Sequence, residues 1–194
     1  MTDDDRILSF MTRCAERLAE RAADPGAAPE AAAGARAFRE AVAASTPLPY
    51  EPGSVPVVGA TTGRIDIGPA GGPLASDLVA VTPLLPWVPT FRATDSGTEF
   101  GLALFDKMRD LGGVTAGLMW VGPGCQYPLH HHPPQELYLT LTGRARFRWG
   151  GAEELRPVEP DMTLYNHPDD WHTSIAEGDD HGGAPFVALY VTWP

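Results

Sequence analysis

The chain has 194 residues, 43% of them hydrophobic and 20% charged, with a formal net charge of −11. That length holds one full hydrophobic core, and that composition belongs to a globular chain rather than a disordered one. The acidity argues against nucleic acid and anionic membrane surfaces as partners.

The first residues, Met1-Thr-Asp-Asp-Asp-Arg, are acidic and lack the basic and apolar regions of a leader. No apolar run approaches the ~20 residues of a membrane span. No signal peptide and no transmembrane segment are expected, and the expected location is the cytoplasm. Cys14 and Cys125 lie far apart in differently patterned segments, so a disulfide between them is not expected.

Residues 3 to 24 predict a helix. Ile7, Leu8, Met11, Cys14 and Leu18 recur at helical spacing, and Asp3 to Asp5 suit the positive end of the dipole. Asp24-Pro25-Gly26 ends it. A second helix is expected over Pro29 to Ala44, with proline in its first turn and many alanines. Thr46 to about Ser76 is rich in Pro and Gly and reads as an irregular connection. The chain thus divides into an N-terminal helical region, 1–76, and a β region, 77–194.

Short β-candidates follow: Leu78 to Val81, Val88 to Arg92, Phe100 to Leu104 and Val114 to Val121. A hairpin is expected from Leu129 to Trp149. Met162 to Tyr165, His172 to Ala176 and Phe186 to Trp193 complete the set. Many short strands with Gly and Pro between them predict a mostly β fold, a jelly-roll-type antiparallel barrel preceded by α-helices.

The most informative stretch is Gly124 to Gly143, which reads G-x5-H-x-H-x3-E-x6-G through His130, His132 and Glu136. Histidines two apart on a strand point to one face. Pro133 and Pro134 forbid a helix between His132 and Glu136, so the carboxylate arrives from the next strand. Imidazole and carboxylate together suit one divalent transition metal, with Zn, Fe, Mn, Ni and Co all eligible. A lone His-x-His is a weak signal. The spaced carboxylate, the bracketing glycines and a later histidine strengthen it.

Alternation on the strand after the prolines puts Glu136, Tyr138 and Thr140 on one face and Leu137, Leu139 and Leu141 on the other. A phenol beside a divalent metal can lose its proton far below its usual pKa of ~10, so Tyr138 is a candidate base. Two histidines compete for the fourth ligand position. His172 opens a β-patterned segment and is favoured. His167 precedes a proline and is expected in a loop. His131 should point away from the metal, and His181 should be a solvated loop residue. Arg144, Arg146 and Arg148 alternate on one strand and read as a solvated face.

The stretch Tyr127-Pro-Leu-His130-His-His132-Pro-Pro-Gln-Glu136-Leu-Tyr138 has the spacing of the first cupin motif. It resembles the metal motif of the cupin-type dimethylsulfoniopropionate (DMSP) lyases, Tyr-Pro-x-His-x-His-x3-Glu-x-Tyr. His167-Pro168-x3-His172 is similar to their second motif, with Asp169 where that motif has serine. The Pro-x-Gly turn of the second cupin motif is replaced by Pro160-Asp161-Met162. The resemblance implies metal ligands at His130, His132, Glu136 and His172, and catalytic tyrosines at Tyr138 and Tyr127. It implies a metal-dependent lyase acting on a small zwitterionic or carboxylate substrate, with tyrosine abstracting the proton alpha to the carboxylate. Aromatic faces would serve the cationic sulfonium end, drawn from Tyr127, Trp171, Trp193, Trp120 and Tyr190. A homodimer is the usual cupin habit. The alternatives are another metal-dependent cupin enzyme, such as an Fe(II) dioxygenase or an isomerase, or a small-molecule-binding cupin.

Overall fold

The computed structural model describes residues 1–51, 71–89, 100–178 and 184–194. Most of the Pro/Gly-rich connection, the end of the Val88 to Arg92 candidate and His181 lie outside the described residues.

Helix α1 spans Asp3–Ala22 and α2 spans Ala31–Ala44. A capping box starts α1: Asp5 N donates to Thr2 Oγ1 at 3.1 Å, and Thr2 N donates to Asp5 Oδ2 at 2.7 Å. Its buried stripe is Ile7, Phe10, Met11, Cys14, Ala15, Leu18 and Ala22. Pro29 sits just ahead of α2, outside its first turn.

A short strand, β1 (Thr46–Pro47), precedes a third helix, α3 (Ala75–Val81). The strand expected at Leu78 to Val81 is therefore helix. A short apolar run does not distinguish the two by itself, and here Leu78 and Val81 are buried together at helical spacing.

The strands that follow are β2 (Trp87–Pro89), β3 (Phe100–Leu104), β4 (Arg109–Asp110), β5 (Thr115–Val121) and β6 (Gln126–His130). Next come β7 (Gln135–Thr142), β8 (Ala145–Arg148), β9 (Arg156–Val158), β10 (Thr163–Asn166), β11 (His172–Ala176) and β12 (Phe186–Trp193). They form a six-stranded sheet, β10-β7-β12-β5-β3-β2, and a four-stranded sheet, β6-β11-β8-β9, with a small β1-β4 pair beside them. All pairings in the two large sheets are antiparallel, as in a jelly roll.

One expectation fails in an instructive way. The segment Leu129 to Trp149 is not a hairpin. β6 and β8 belong to the four-stranded sheet, whereas β7 belongs to the six-stranded one. Two consecutive prolines cannot supply the N–H groups of a tight hairpin, so the chain crosses from one sheet to the other at Pro133-Pro134. It crosses back at Gly143, whose φ is +73°.

β7 separates two cores. Leu137, Leu139 and Leu141 pack against the three helices, with Leu118, Trp120, Leu189 and Trp193. Tyr138 faces the other way, into the space between the sheets, with Phe100, Met119, Tyr127, Phe147 and Tyr190. The expected alternation along β7 is therefore observed. Helix α2 lies so close to β12 that a Cβ at Gly34 would fall 2.4 Å from the Trp193 ring.

The helices also hold the β-layers by charge. Arg17 forks onto the Asp161 carboxylate, its Nε at 2.6 Å. Asp161 adopts φ +75°, a left-handed conformation that Asp tolerates better than most residues. This is how the Pro160-Asp161-Met162 turn forms without glycine. Among the described residues no helix is long and apolar enough to cross a membrane.

Gly143→Ala should destabilise the fold. A Cβ there would lie 2.3 Å from the Pro185 carbonyl oxygen, and left-handed backbone costs an L-residue roughly 1–2 kcal/mol even without a clash. Urea denaturation should register a loss of at least that size; wild-type stability would show that the crossover tolerates a side chain.

Candidate metal centre

Three strands deliver the candidate residues. β6 and β11 pair with His130 directly opposite His172. His132 follows the end of β6. Glu136 comes from β7 in the facing sheet and is 4% exposed. The nitrogen atoms of His130, His132 and His172 that can bind a metal all lie within 4.8 Å of one another. Nitrogens bound to one ion at about 2.1 Å can be no more than about 4.2 Å apart, so small ring rotations close the set.

Each imidazole is oriented the same way. Nδ1 of His130 is 2.8 Å from the Pro128 carbonyl, Nδ1 of His132 is 3.1 Å from the Pro134 carbonyl, and Nδ1 of His172 is 2.8 Å from the Asp170 carbonyl. Each partner lies two residues away along the chain. An Nδ1 contact with a carbonyl orients the ring and leaves Nε2 as the nitrogen for a metal, the arrangement of metal-binding histidines.

Glu136 Oε2 lies 3.2 Å from His132 Nε2 and 3.1 Å from His172 Nε2. The second contact is close enough for attraction but not aligned for a hydrogen bond, and the buried His172 Nε2 makes none among the described residues. A buried nitrogen left in that condition, beside a carboxylate and two more imidazoles, fits a divalent cation. Burial pushes the Glu136 carboxyl up, but the His132 hydrogen bond and the proximity of the His132 and His172 rings outweigh it, and its pKa falls to about 2. The carboxylate is therefore ionised and ready to bind.

The site opens into a pocket of about 280 Å³ lined by His130, His132, Glu136, three tyrosines and an apolar wall that includes Leu102, Leu104 and Met119. The tyrosines are Tyr127, Tyr138 and Tyr190. Tyr190 is the Cα partner of Tyr138 across β12 and β7. Tyr138 is 2% exposed; burial first, then the Glu136 charge, hold its phenol well above the usual range. Burial and the Asp106 charge do the same for Tyr190.

The remaining candidates sort cleanly. His167 is exposed, meets Tyr165 edge to face and is not among the three grouped histidines. His131 points outward and packs on Trp171, which is 46% exposed. Trp120 and Trp193 belong to the helix-side core, so they do not reach the pocket. Cys14 sits in that core and Cys125 beside the pocket, with no disulfide between them. Arg144 and Arg146 are exposed, and Arg144 pairs with Glu159 at 2.9 Å. Sequence reading included Tyr190 among several aromatics but could not select it, because its place opposite Tyr138 depends on a pairing between distant strands. Asp169, where the resembled motif has serine, has φ +61° and follows Pro168 in the turn before His172.

Elemental analysis tests the centre. His132→Ala and His172→Ala should each lose most of the bound divalent metal, and His167→Ala should retain it. Metal loss from His167→Ala with retention by His172→Ala would reverse the choice between the two histidines.

The family described as DMSP lyase matches residues 107–181, a span that holds all the histidines of the centre, Glu136, Tyr127 and Tyr138. Among solved structures, the chain is similar to DMSP lyase DddQ from Ruegeria pomeroyi DSS-3, with a TM-score of 0.69 and 21% identity over 96% of this chain and 91% of that one. It is also similar to a structure reported with the DMSP lyases RdDddP and RnDddQII, with a TM-score of 0.69 and 24% identity over 100% of this chain and 94% of that one. No curated protein matches the chain. The chain has a cupin-type fold, and in both its motif and its architecture it resembles the cupin-type DMSP lyases.

Proposed function

We propose that the protein is a metal-dependent carbon–sulfur lyase that cleaves DMSP to dimethyl sulfide and acrylate. The observation that carries this reading is a small pocket lined by three phenols beside a group of three imidazoles. The family match across the same residues supports it. A dioxygenase or an isomerase of neutral sugars has no evident need for that many phenols.

The reaction is a β-elimination. A base removes the proton alpha to the carboxylate. The C–H electron pair becomes the second bond of acrylate, and the C–S pair leaves on sulfur as neutral dimethyl sulfide. The proton remains on the base until solvent takes it.

His130, His132, Glu136 and His172 are the residues that would hold the ion. A divalent cation bound there would act as a Lewis acid toward the substrate carboxylate and would favour an ionised phenol nearby. Tyr138 is assigned the base, because it sits two residues past Glu136 on the same face of β7. Its burial makes it a strong base once ionised, since the same desolvation that disfavours phenolate rewards proton capture. Tyr127, with its ring 5.0 Å from His130, borders the other side of the centre.

The cationic sulfonium cannot accept or donate an ordinary hydrogen bond. The faces of Tyr127 and Tyr190 and the soft wall at Met119 suit it. Among the described residues, no Arg or Lys lines the pocket to repel it. A volume near the lower end for ligand sites also suits a small substrate.

Tyr138→Phe keeps shape and burial but removes the phenolic oxygen. Its lyase rate should fall at least ~10²-fold with metal content little changed; full activity would move the base role to Tyr127 or elsewhere. The substrate is tested by headspace detection of dimethyl sulfide from purified protein and DMSP. Release should require metal and stop with chelator. Background levels across Zn, Fe, Mn, Ni and Co reconstitutions would end the lyase reading while leaving the metal centre intact.

A further inference from the structure

Tyr127 and His130 are three residues apart on one strand, so regular alternation would send them to opposite faces. Both are instead buried and face the same pocket, with 8% and 5% exposure. The pairing explains this. His130 opposes His172 and Tyr127 opposes Ser174, so Thr173 on β11 faces two residues, Pro128 and Leu129. That is a β-bulge, which re-aims side chains at the cost of regular ladder bonds.

Pro128 has no N–H to give to the ladder. The Thr173 side chain adds a cross-strand bond beside this weak point. Its hydroxyl donates to the Tyr127 carbonyl and accepts from Gln126 Nε2 at 3.2 Å. Thr173 is itself only 5% exposed. The Pro128 carbonyl inside the bulge lies 2.8 Å from His130 Nδ1. One hydroxyl thus stands behind two functions, the inward tyrosine and the correctly oriented imidazole.

We propose that Thr173 is a positioning residue, whose hydroxyl holds the bulge that turns Tyr127 and His130 into the same pocket. It touches neither the metal nor the substrate and acts through the β6 backbone. The inference rests on the reading of His130 as a metal ligand, but not on the identity of the substrate.

The test compares Thr173→Val, which keeps the shape and loses the hydroxyl, with Thr173→Ser, which keeps the hydroxyl. Cobalt affinity and the visible Co²⁺ spectrum are read for both. Thr173→Val should lose roughly 10- to 100-fold in affinity, as outer-shell changes commonly do, with an altered spectrum. Thr173→Ser should restore both. Crystal structures of the metal-free variants read the bulge itself, with Tyr127 or His130 turned out of the pocket in Thr173→Val alone. If Thr173→Val does not fold, Gln126→Leu at its exposed position should shift the spectrum in the same direction by a smaller amount. Wild-type affinity, spectrum and bulge in Thr173→Val, or equal damage in Thr173→Ser, would overturn the proposal. Failure of the lyase reading would leave these measurements unaffected, so the two claims fall separately.

Discussion

A carboxylate buried as deeply as Glu136 must be surrounded by groups that tolerate its charge. Two imidazoles of the facing sheet and its flanking corner supply them at 3.1 and 3.2 Å. That requirement dictates much of the architecture. Glu136 and the histidines cannot come from neighbouring positions of one hairpin, because they must approach from opposite walls. The sheet change at Pro133-Pro134 makes that possible. The chain leaves one wall after His132 and joins the other in time to present Glu136.

The same strand that presents Glu136 closes the helix-side core with its alternate residues. Leu137, Leu139 and Leu141 face α1, α2 and α3, while Glu136 and Tyr138 face the pocket. A one-residue slip of β7 would therefore put leucines into the polar centre and a carboxylate and a phenol against the helices. The large apolar core thus fixes the register of the pocket face. The helices contribute to the site without touching it.

Much of this was legible in the sequence, for local reasons. His130, His132 and Glu136 stand in a short motif whose spacing carries its own geometry, and β7 alternates cleanly. His172 could be preferred over His167 because a following proline marks His167 as a loop residue. What failed depended on distant partners. Leu78 to Val81 is too short for periodicity to decide, and packing made it a helix. The supposed hairpin required knowing which sheet each strand would join. Tyr190 and Thr173 could not be singled out, because their importance comes from residues opposite them on strands far away in sequence. The bulge at Pro128 shows the limit most clearly, since strict alternation would have turned Tyr127 away from His130.

The place of β12 has a consequence for how the molecule comes together. It is the last strand in chain order, yet it lies between β7 and β5 in the middle of the large sheet. Until Phe186 to Trp193 arrive, β5 and β7 each have an open edge, and α2 lacks the Trp193 ring that packs against Gly34. Contacts so distant along the chain make for slow folding. The open edges are also sticky while they wait, since unpaired apolar strands invite pairing with other chains. The candidate centre shares this dependence: β7 carries Glu136 and Tyr138, and one of its edges is completed only by β12. The strand that closes the sheet is also the one that brings Tyr190 to the pocket.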